Sequence, residues 1–389
     1  MEDLKYWLAL SLIPQLGAAR FRHLESYFGD LEHAWRAGLS QLRDAGLDSR
    51  TAQEIVSGRD RLNPDDSMES LARAGVSVTN WNGENYPPRL RHISDPPPVL
   101  YYIGEIKPED ECSVAIVGTR NPTSYGREAA GVLSRDLASS GITVVSGLAL
   151  GIDGVAHRAA LDCGGRTIAV VAGGLDSVYP REHTDLFRRI QGSGAVISEH
   201  PLGMRPDPRS FPRRNRLISG MTLGTVVVEA AEGSGTRWTV YQALEQNREV
   251  FCVPGSIFSP ASRFTNRMIK EGAKLVADYT DILEELNLPD VAADERSKGG
   301  KPSNQTEALQ QEITEQEYEN TEELEPGEAS LMRHLSGQPL HVDDLCRQAG
   351  LPIASVTSML TLLELKGKVE QIGSMHYVKA SPELLKEKR

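Results

Sequence analysis

Two residue types in this chain have the spacing of a ligand site: glycines that close apolar runs, and arginines. Gly118 in VGTRNPTSYG, Gly147 and Gly151 in SGLALGID, Gly173 and Gly174 in AGGLD, and Gly233 and Gly235 in AEGSGT each follow a short apolar run. Glycine lets a ligand approach backbone N–H groups, and helix N-termini behind such turns favour anions, so a phosphate-bearing ligand is indicated. Arg205, Arg209, Arg213, Arg214 and Arg216 fall within twelve residues and lead through FPRRNRLISG into the apolar LGTVVVEA. Arg120 stands at the first glycine turn and Arg181 after the third. Cations and turns that converge on one edge predict a groove following a phosphate backbone.

Thr119, Asn121, Ser146 and Asn215 supply donors and acceptors for sugars or bases. His157, Glu199 and Glu229 are the candidates for proton transfer, each with a plainer role beside it. His157 lies in the helical pattern GVAHRAAL, where packing or a place next to a phosphate fits better than general base. Glu229 closes a strand, where it can anchor an arginine or cap a helix. No nucleophile, paired carboxylates or metal-ligand cluster stands at suggestive spacing, so no catalytic residue, metal or cofactor is expected. GxGxxG fails because the next glycine after Gly118 is Gly126, and no GxxxxGK followed by Ser or Thr occurs.

Those turns need a rigid frame. SVAIVG, ITVVSG, TIAVVAGG, AVISE, LGTVVVEAA and EVFCVPG are strands without polar alternation, interleaved with amphipathic segments, which predicts a doubly wound parallel sheet covered on both faces. In such a sheet the turns gather at the carboxyl edge, where ligands bind. The fold class is therefore α/β, an extended Rossmann-like sheet domain over 66–286, entered through the proline-punctuated segment 75–104. Before it, 1–65 reads as short helices, SAM-like or helix-hairpin-helix-like around IPQLGAARFRHL, a unit that either contacts DNA phosphates or simply packs. Residues 328–381 have the helix, helix, helix, two-strand order of a winged helix. Its third helix lacks the Arg, Lys, Asn and Gln of base readout, so partner contact or packing is expected of it.

The net charge of −12 over 389 residues is unevenly placed. Residues 287–327 and the adjoining Glu328 carry twelve acids against Arg296, Lys298 and Lys301, a net −9. This stretch reads as a flexible linker, and the acidic total does not exclude a nucleic-acid partner. Hydrophobic content of 39% and charged content of 25% are ordinary for a globular protein. No membrane span or export signal is read, and four dispersed cysteines suit reduced, mostly buried thiols in a cytoplasm.

SVAIVGTRNPTSYG, VVSGLALGIDGVAHRAAL, TIAVVAGGLDSVYPREH, ISEHPLG, FPRRNRLISG, VVVEAAEGSGT and REVFCVPG, in that order, resemble the DNA processing protein A (DprA, or Smf) family. The resemblance covers roughly 85–285 and implies a cytoplasmic, non-enzymatic protein that binds single-stranded DNA and helps load the recombinase RecA during natural transformation or DNA processing, as a homodimer. By that likeness Gly118, Thr119, Arg120, Ser146, Gly147, Arg213, Arg214, Asn215 and Arg216 fall on the motifs of the DNA pocket. The sequence departs from the family pattern at Thr236–Val240 and at Phe264, where a glycine is expected. The alternative is a phosphoribohydrolase acting on nucleoside monophosphates, whose PGGxGTxxE signature is met here by EGSGTRWTV, with Thr239 in place of the glutamate.

Overall fold

The computed structural model describes residues 3–14, 16–288, 331–335, 340–365, 368–371 and 376–379. The chain divides into two compact units, Met1–Lys298 and Gly299–Arg389. From residue 289 onward the expected linker lies outside the described residues, as do the start and end of the expected 328–381 domain.

Six helices open the first unit: α1 (Leu4–Ser11), α2 (Ala18–Phe28), α3 (Leu31–Arg36), α4 (Leu39–Asp44), α5 (Ser49–Gly58) and α6 (Pro64–Arg73). Asp30, Asp48 and Asn63 cap α3, α5 and α6 through side-chain oxygens that accept backbone N–H bonds. There follow β1 (Ser77–Asn80), β2 (Val99–Gly104), β3 (Ser113–Val117), α7 (Ser124–Ser139), β4 (Thr143–Ser146), α8 (Ile152–Asp162), β5 (Thr167–Val170), α9 (Thr184–Ser193) and β6 (Gly194–Ser198). The unit continues through α10 (Ser210–Gly220), β7 (Gly224–Val227), α11 (Thr236–Glu245), β8 (Glu249–Cys252), α12 (Arg263–Lys270), β9 (Lys274–Leu275) and α13 (Thr280–Glu285).

The nine strands form one sheet in the order β1-β2-β6-β5-β4-β3-β7-β8-β9. The seven from β6 to β9 are parallel, and β2 and β1 extend the β6 edge antiparallel. The segment expected only as extended chain thus adds two strands, making the sheet mixed. Side chains of β3 alternate between two cores: Val114 and Ile116 join one cluster with Leu133, Leu137 and Ala156 of α7 and α8, while Ala115 and Val117 join the other with Leu217 and Val240 of α10 and α11. Both faces are therefore buried, which explains strands with no polar alternation.

The second cluster runs unbroken into the N-terminal helices, so the expected boundary at 65/66 is no break in packing. Trp81, just after β1, stands 5.2 Å from Trp7 and 6.1 Å from Phe21, ring centroid to centroid. Its Nε1 donates to Glu25 Oε2 at 3.2 Å. The helical arginines are engaged inside this layer: Arg20 pairs with Asp48, Arg36 with Glu32, and Arg22 lies over Trp81.

In the second unit, α14 (Val342–Ala349) and α15 (Ile353–Leu365) accompany β10 (Leu340–His341), β11 (Val369–Gln371) and β12 (His376–Lys379). The strands pair antiparallel in the order β10-β12-β11, one strand more than the expected two. Val342, Leu345, Val356, Leu360, Leu363, Val369 and Tyr377 build its own core.

If helices and sheet share one core, Trp81→Ala should lower the stability of both together by about 3–5 kcal/mol. Urea unfolding followed by circular dichroism should then show one shifted transition for the first unit. Separate transitions for helices and sheet would contradict the shared core.

Candidate nucleic-acid interface

β3 and β7 are neighbours, but their crossovers leave in opposite directions, to β4 and to β8. At such a switch point the carboxyl ends part and leave a crevice. A cleft of about 380 Å³ opens there, and α10 lines it with Phe211, Arg214, Asn215 and Ile218. These positions are the i, i+3, i+4, i+7 stripe of one helical face.

The glycine turns pack on one another more than they open to a ligand. Thr119 N donates to Glu229 O at 2.8 Å, and Ile152 N donates to Thr119 O at 3.2 Å. Gly151 has φ +79°, and a Cβ there would come within 2.6 Å of the Arg120 carbonyl carbon. At Gly118 a Cβ would come 2.6 Å from Ile152 Cγ1, and at Gly147 2.6 Å from Arg214 Nη1 and Nη2. At Gly233 and Gly235, by contrast, a Cβ would meet nothing within 4 Å. The open backbone is on the β7 side.

The three arginines of FPRRNR do not share a groove, because successive helical side chains diverge by about 100°. Arg213 is exposed and lines a separate cavity, shared with Glu199, His200 and Arg216. Arg214 is 4% exposed; its Nη1 donates to Gly147 O at 2.6 Å and to Val170 O, and its Nε donates to Asn215 Oδ1 at 3.2 Å. Burial pushes Arg214 down to about 10, so it remains charged at neutral pH. Asp153 faces it, accepting from Gly147 N and Ala149 N, and burial raises this carboxyl despite the nearby guanidinium. Arg216 is buried too, with Nη2 donating to Glu199 Oε2 at 2.6 Å and Nε 3.5 Å from Asp95. Arg214 and Arg216 thus donate to internal partners, Arg214 from the cleft wall, and do not form one exposed row with Arg213.

Other expected contacts also turn inward. Ser146 Oγ donates to Ile116 O at 2.6 Å and ties β4 to β3 from a fully buried position. Glu229 accepts from Thr123 N at 2.9 Å and Thr123 Oγ1 at 2.6 Å, while Thr123 caps α7 through Gly126 N. A Cβ at Gly126 would run into that carboxylate. Thr167 Oγ1 gives its single proton to Val144 O, so His157 Nδ1 donates to Thr167 Oγ1 at 2.7 Å and the imidazole is the Nδ1–H tautomer. Burial pushes His157 down to about 3, leaving it neutral.

On the surface at the mouth remain Arg120 and Asn121, with Asn121 N donating to Thr119 Oγ1 at 3.2 Å. Arg120 lies 5.3 Å over the Phe211 ring, and Phe211 stands 5.9 Å from Tyr179, which is 53% exposed. Phe211, Tyr179 and Asp153 were not singled out by the sequence reading, although a signal existed: aromatics beside arginines at a helix start. Among the described residues no group of three or more His, Cys, Asp or Glu could hold a metal ion. No described helix is long and apolar enough to cross a membrane. All four cysteines are free, though only Cys252 is fully buried.

A doubly wound Rossmann-like domain with a cation-and-aromatic cleft at its switch point defines the structural class. A family model described as DNA recombination-mediator protein A matches residues 77–287, and one for the DprA winged helix domain matches 315–373. Protein Smf of Synechocystis is 33% identical over 392 residues, covering 96% of this chain and 98% of that protein. The X-ray structure of DprA from Streptococcus pneumoniae superposes with a TM-score of 0.65 at 32% identity, over 72% of this chain and 97% of that one. A structure of Helicobacter pylori DprA, described for its single-stranded DNA binding mode, gives 0.50 at 30% identity, over 54% and 95%. The chain belongs to the DNA recombination-mediator protein A family.

His157 gives the frame an acid limit. The folded state keeps it neutral to about pH 3, whereas the unfolded chain takes up a proton near pH 6.5. Stability therefore falls as pH drops below about 6.5, by up to about 1.4 kcal/mol per pH unit. His157→Gln should flatten that slope by about one proton between roughly pH 5 and 4. Denaturant midpoints measured across pH check it, and an unchanged slope would count against the burial argument.

Proposed function

We propose that this chain is a single-stranded DNA-binding recombination mediator that protects incoming strands and helps load RecA, acting as a homodimer in the cytoplasm during natural transformation or DNA processing. The observation that carries the reading is the Arg120–Phe211–Tyr179 cluster at the mouth of the switch-point cleft. A cation for phosphate and an exposed aromatic for a base are what sequence-tolerant single-strand binding requires. Family membership and the Helicobacter pylori relative support it. Gly118, Thr119, Asn121 and Asn215 border the strand, with Arg120 as the cation at the cleft and the exposed Arg213, beside the separate Glu199 cavity, taking a phosphate of the strand where it leaves the cleft. Gly147, Ser146, Arg214 and Arg216 hold the turns that present it, and Gly235 adds open backbone at the far wall.

The phosphoribohydrolase alternative lacks an engine. Both Glu229 oxygens are occupied by Thr123, His157 is buried and neutral, and Thr239 is buried where the glutamate would act.

Fluorescence anisotropy with labelled oligothymidylate should show tighter binding than to duplex, with affinity falling steeply as salt rises. Arg120→Ala and Arg213→Ala should each reduce the log–log salt slope by about 0.7, and Phe211→Ala should weaken binding without changing the slope. Equal affinity of wild type and the Arg120/Arg213 double variant would reject the groove. Recombinase filament assembly on a strand pre-coated with a single-strand-binding protein tests the loading role, and no acceleration by this chain would remove it.

A further inference from the structure

A second aromatic lines the cleft from α11. α11 buries Thr236, Thr239, Val240 and Ala243 against the sheet, and Trp238 points the other way, 44% exposed. The other three tryptophans, Trp7, Trp35 and Trp81, are 1%, 6% and 8% exposed. An indole left in water forgoes the burial that normally places it inside. Trp238 also lines the same cleft as Phe211, Arg214 and Asn215. The Arg237 guanidinium lies over one face of the indole, 5.2 Å from its centroid, and the Tyr241 ring stands edge-on 6.4 Å away at 81°, so no ring is stacked flat on it. The backbone beside it, at Gly233 and Gly235, is open.

We propose that Trp238 is a second base-stacking platform, which takes a nucleobase of the strand whose neighbouring base lies on Phe211 across the cleft, with Arg237 beside it for the connecting phosphate. This rests on the single-strand reading of the cleft. The ligand is recognised by its π face and an adjacent negative charge, so the site is tolerant of base identity. Such a pair of platforms accounts for two aromatics, Phe211 of α10 and Trp238 of α11, in a cleft also lined by the buried Arg214.

Intrinsic fluorescence of the full chain gives a direct readout, because Trp238 is the one exposed indole of the four. Unlabelled oligothymidylate should quench wild-type emission, and Trp238→Phe should abolish the quenching while binding within about threefold of wild type by anisotropy, since a phenyl ring still stacks. Trp238→Ala should bind roughly tenfold more weakly, in line with the loss of one stacked base, with an unshifted thermal melt because the side chain is exposed. Binding of Trp238→Ala at wild-type affinity, or quenching that persists in Trp238→Phe, would overturn the platform while leaving the cleft's strand binding intact. Failure of the wild type itself to bind the strand would instead overturn the underlying reading, and the platform with it. Equal quenching by thymidine monophosphate at matched concentration would assign the indole to a free nucleotide. An emission change with protein concentration alone would assign it to a second copy of this chain. Either result rejects the proposal.

Discussion

Arg214 reaches from α10 to the carboxyl ends of β4 and β5, where its Nη1 donates to Gly147 O and Val170 O, and Asp153 answers its charge. A guanidinium with almost no water costs several kcal/mol unless its donors are used and its charge is opposed. Here the Gly147 and Val170 carbonyls accept from Nη1 and Asn215 Oδ1 accepts from Nε, while Asp153 opposes the charge. Removing the cation would strand the carbonyls as well as Asp153, so the bond network fixes α10 against the sheet. Everything that faces the cleft from α10 inherits its position from this tie.

That one constraint sets the residue types around it. Gly147 has no side chain because the guanidinium occupies the space of its Cβ. Phe211, one turn before Arg214, is held at the mouth, where its ring meets Arg120. Glu229 works in the same manner from β7, using both oxygens to hold Thr123 and so the start of α7. The carboxyl edge is thus a set of buried polar ties that leave a few exposed groups in register. On the proposed reading phosphate affinity depends on Arg120 and Arg213, while Arg214 and Arg216 are held by internal partners.

Most of the frame was legible in the sequence, since strands with no polar alternation, separated by amphipathic segments, admit few arrangements other than a two-faced parallel sheet. The antiparallel pair β1 and β2 was not, because the prolines between Tyr86 and Pro98 mask short strands that are defined by pairing, β2 with β6 and β1 with β2, rather than by their own pattern. The shared core was hidden for a similar reason: the Trp7, Phe21 and Trp81 cluster joins residues sixty or more positions apart. At the site, the sequence marked FPRRNR and the glycine turns, and both line the cleft, through Phe211, Arg214 and Asn215 and through Gly118 and Gly235. It could not sort the arginines, since proximity in sequence counted three cations where helical geometry separates them. Taking Phe211, Arg214, Asn215 and Ile218 as a stripe of one face would have marked Phe211 as a site residue and placed Arg213 and Arg216 elsewhere.

Charge poses the remaining problem: how a chain of net −12 presents a surface to a polyanion. Twelve acids lie between residues 287 and 328, and the rest of the chain is close to neutral. Interactions between exposed charges fade over about 8–10 Å at physiological salt, so the total matters less than what stands at the mouth. Arg120, Arg181, Arg205, Arg209 and Arg213 are exposed on the loops and the helix start that follow the carboxyl edge, whereas Asp153, Glu199 and Glu229 are tied to internal partners. At this edge Arg214 and Arg216 are buried against Asp153 and Glu199, and the exposed guanidinium groups stand in water among the exposed Asp176, Asp207 and Glu232. A chain built this way can hold a phosphate backbone without being basic.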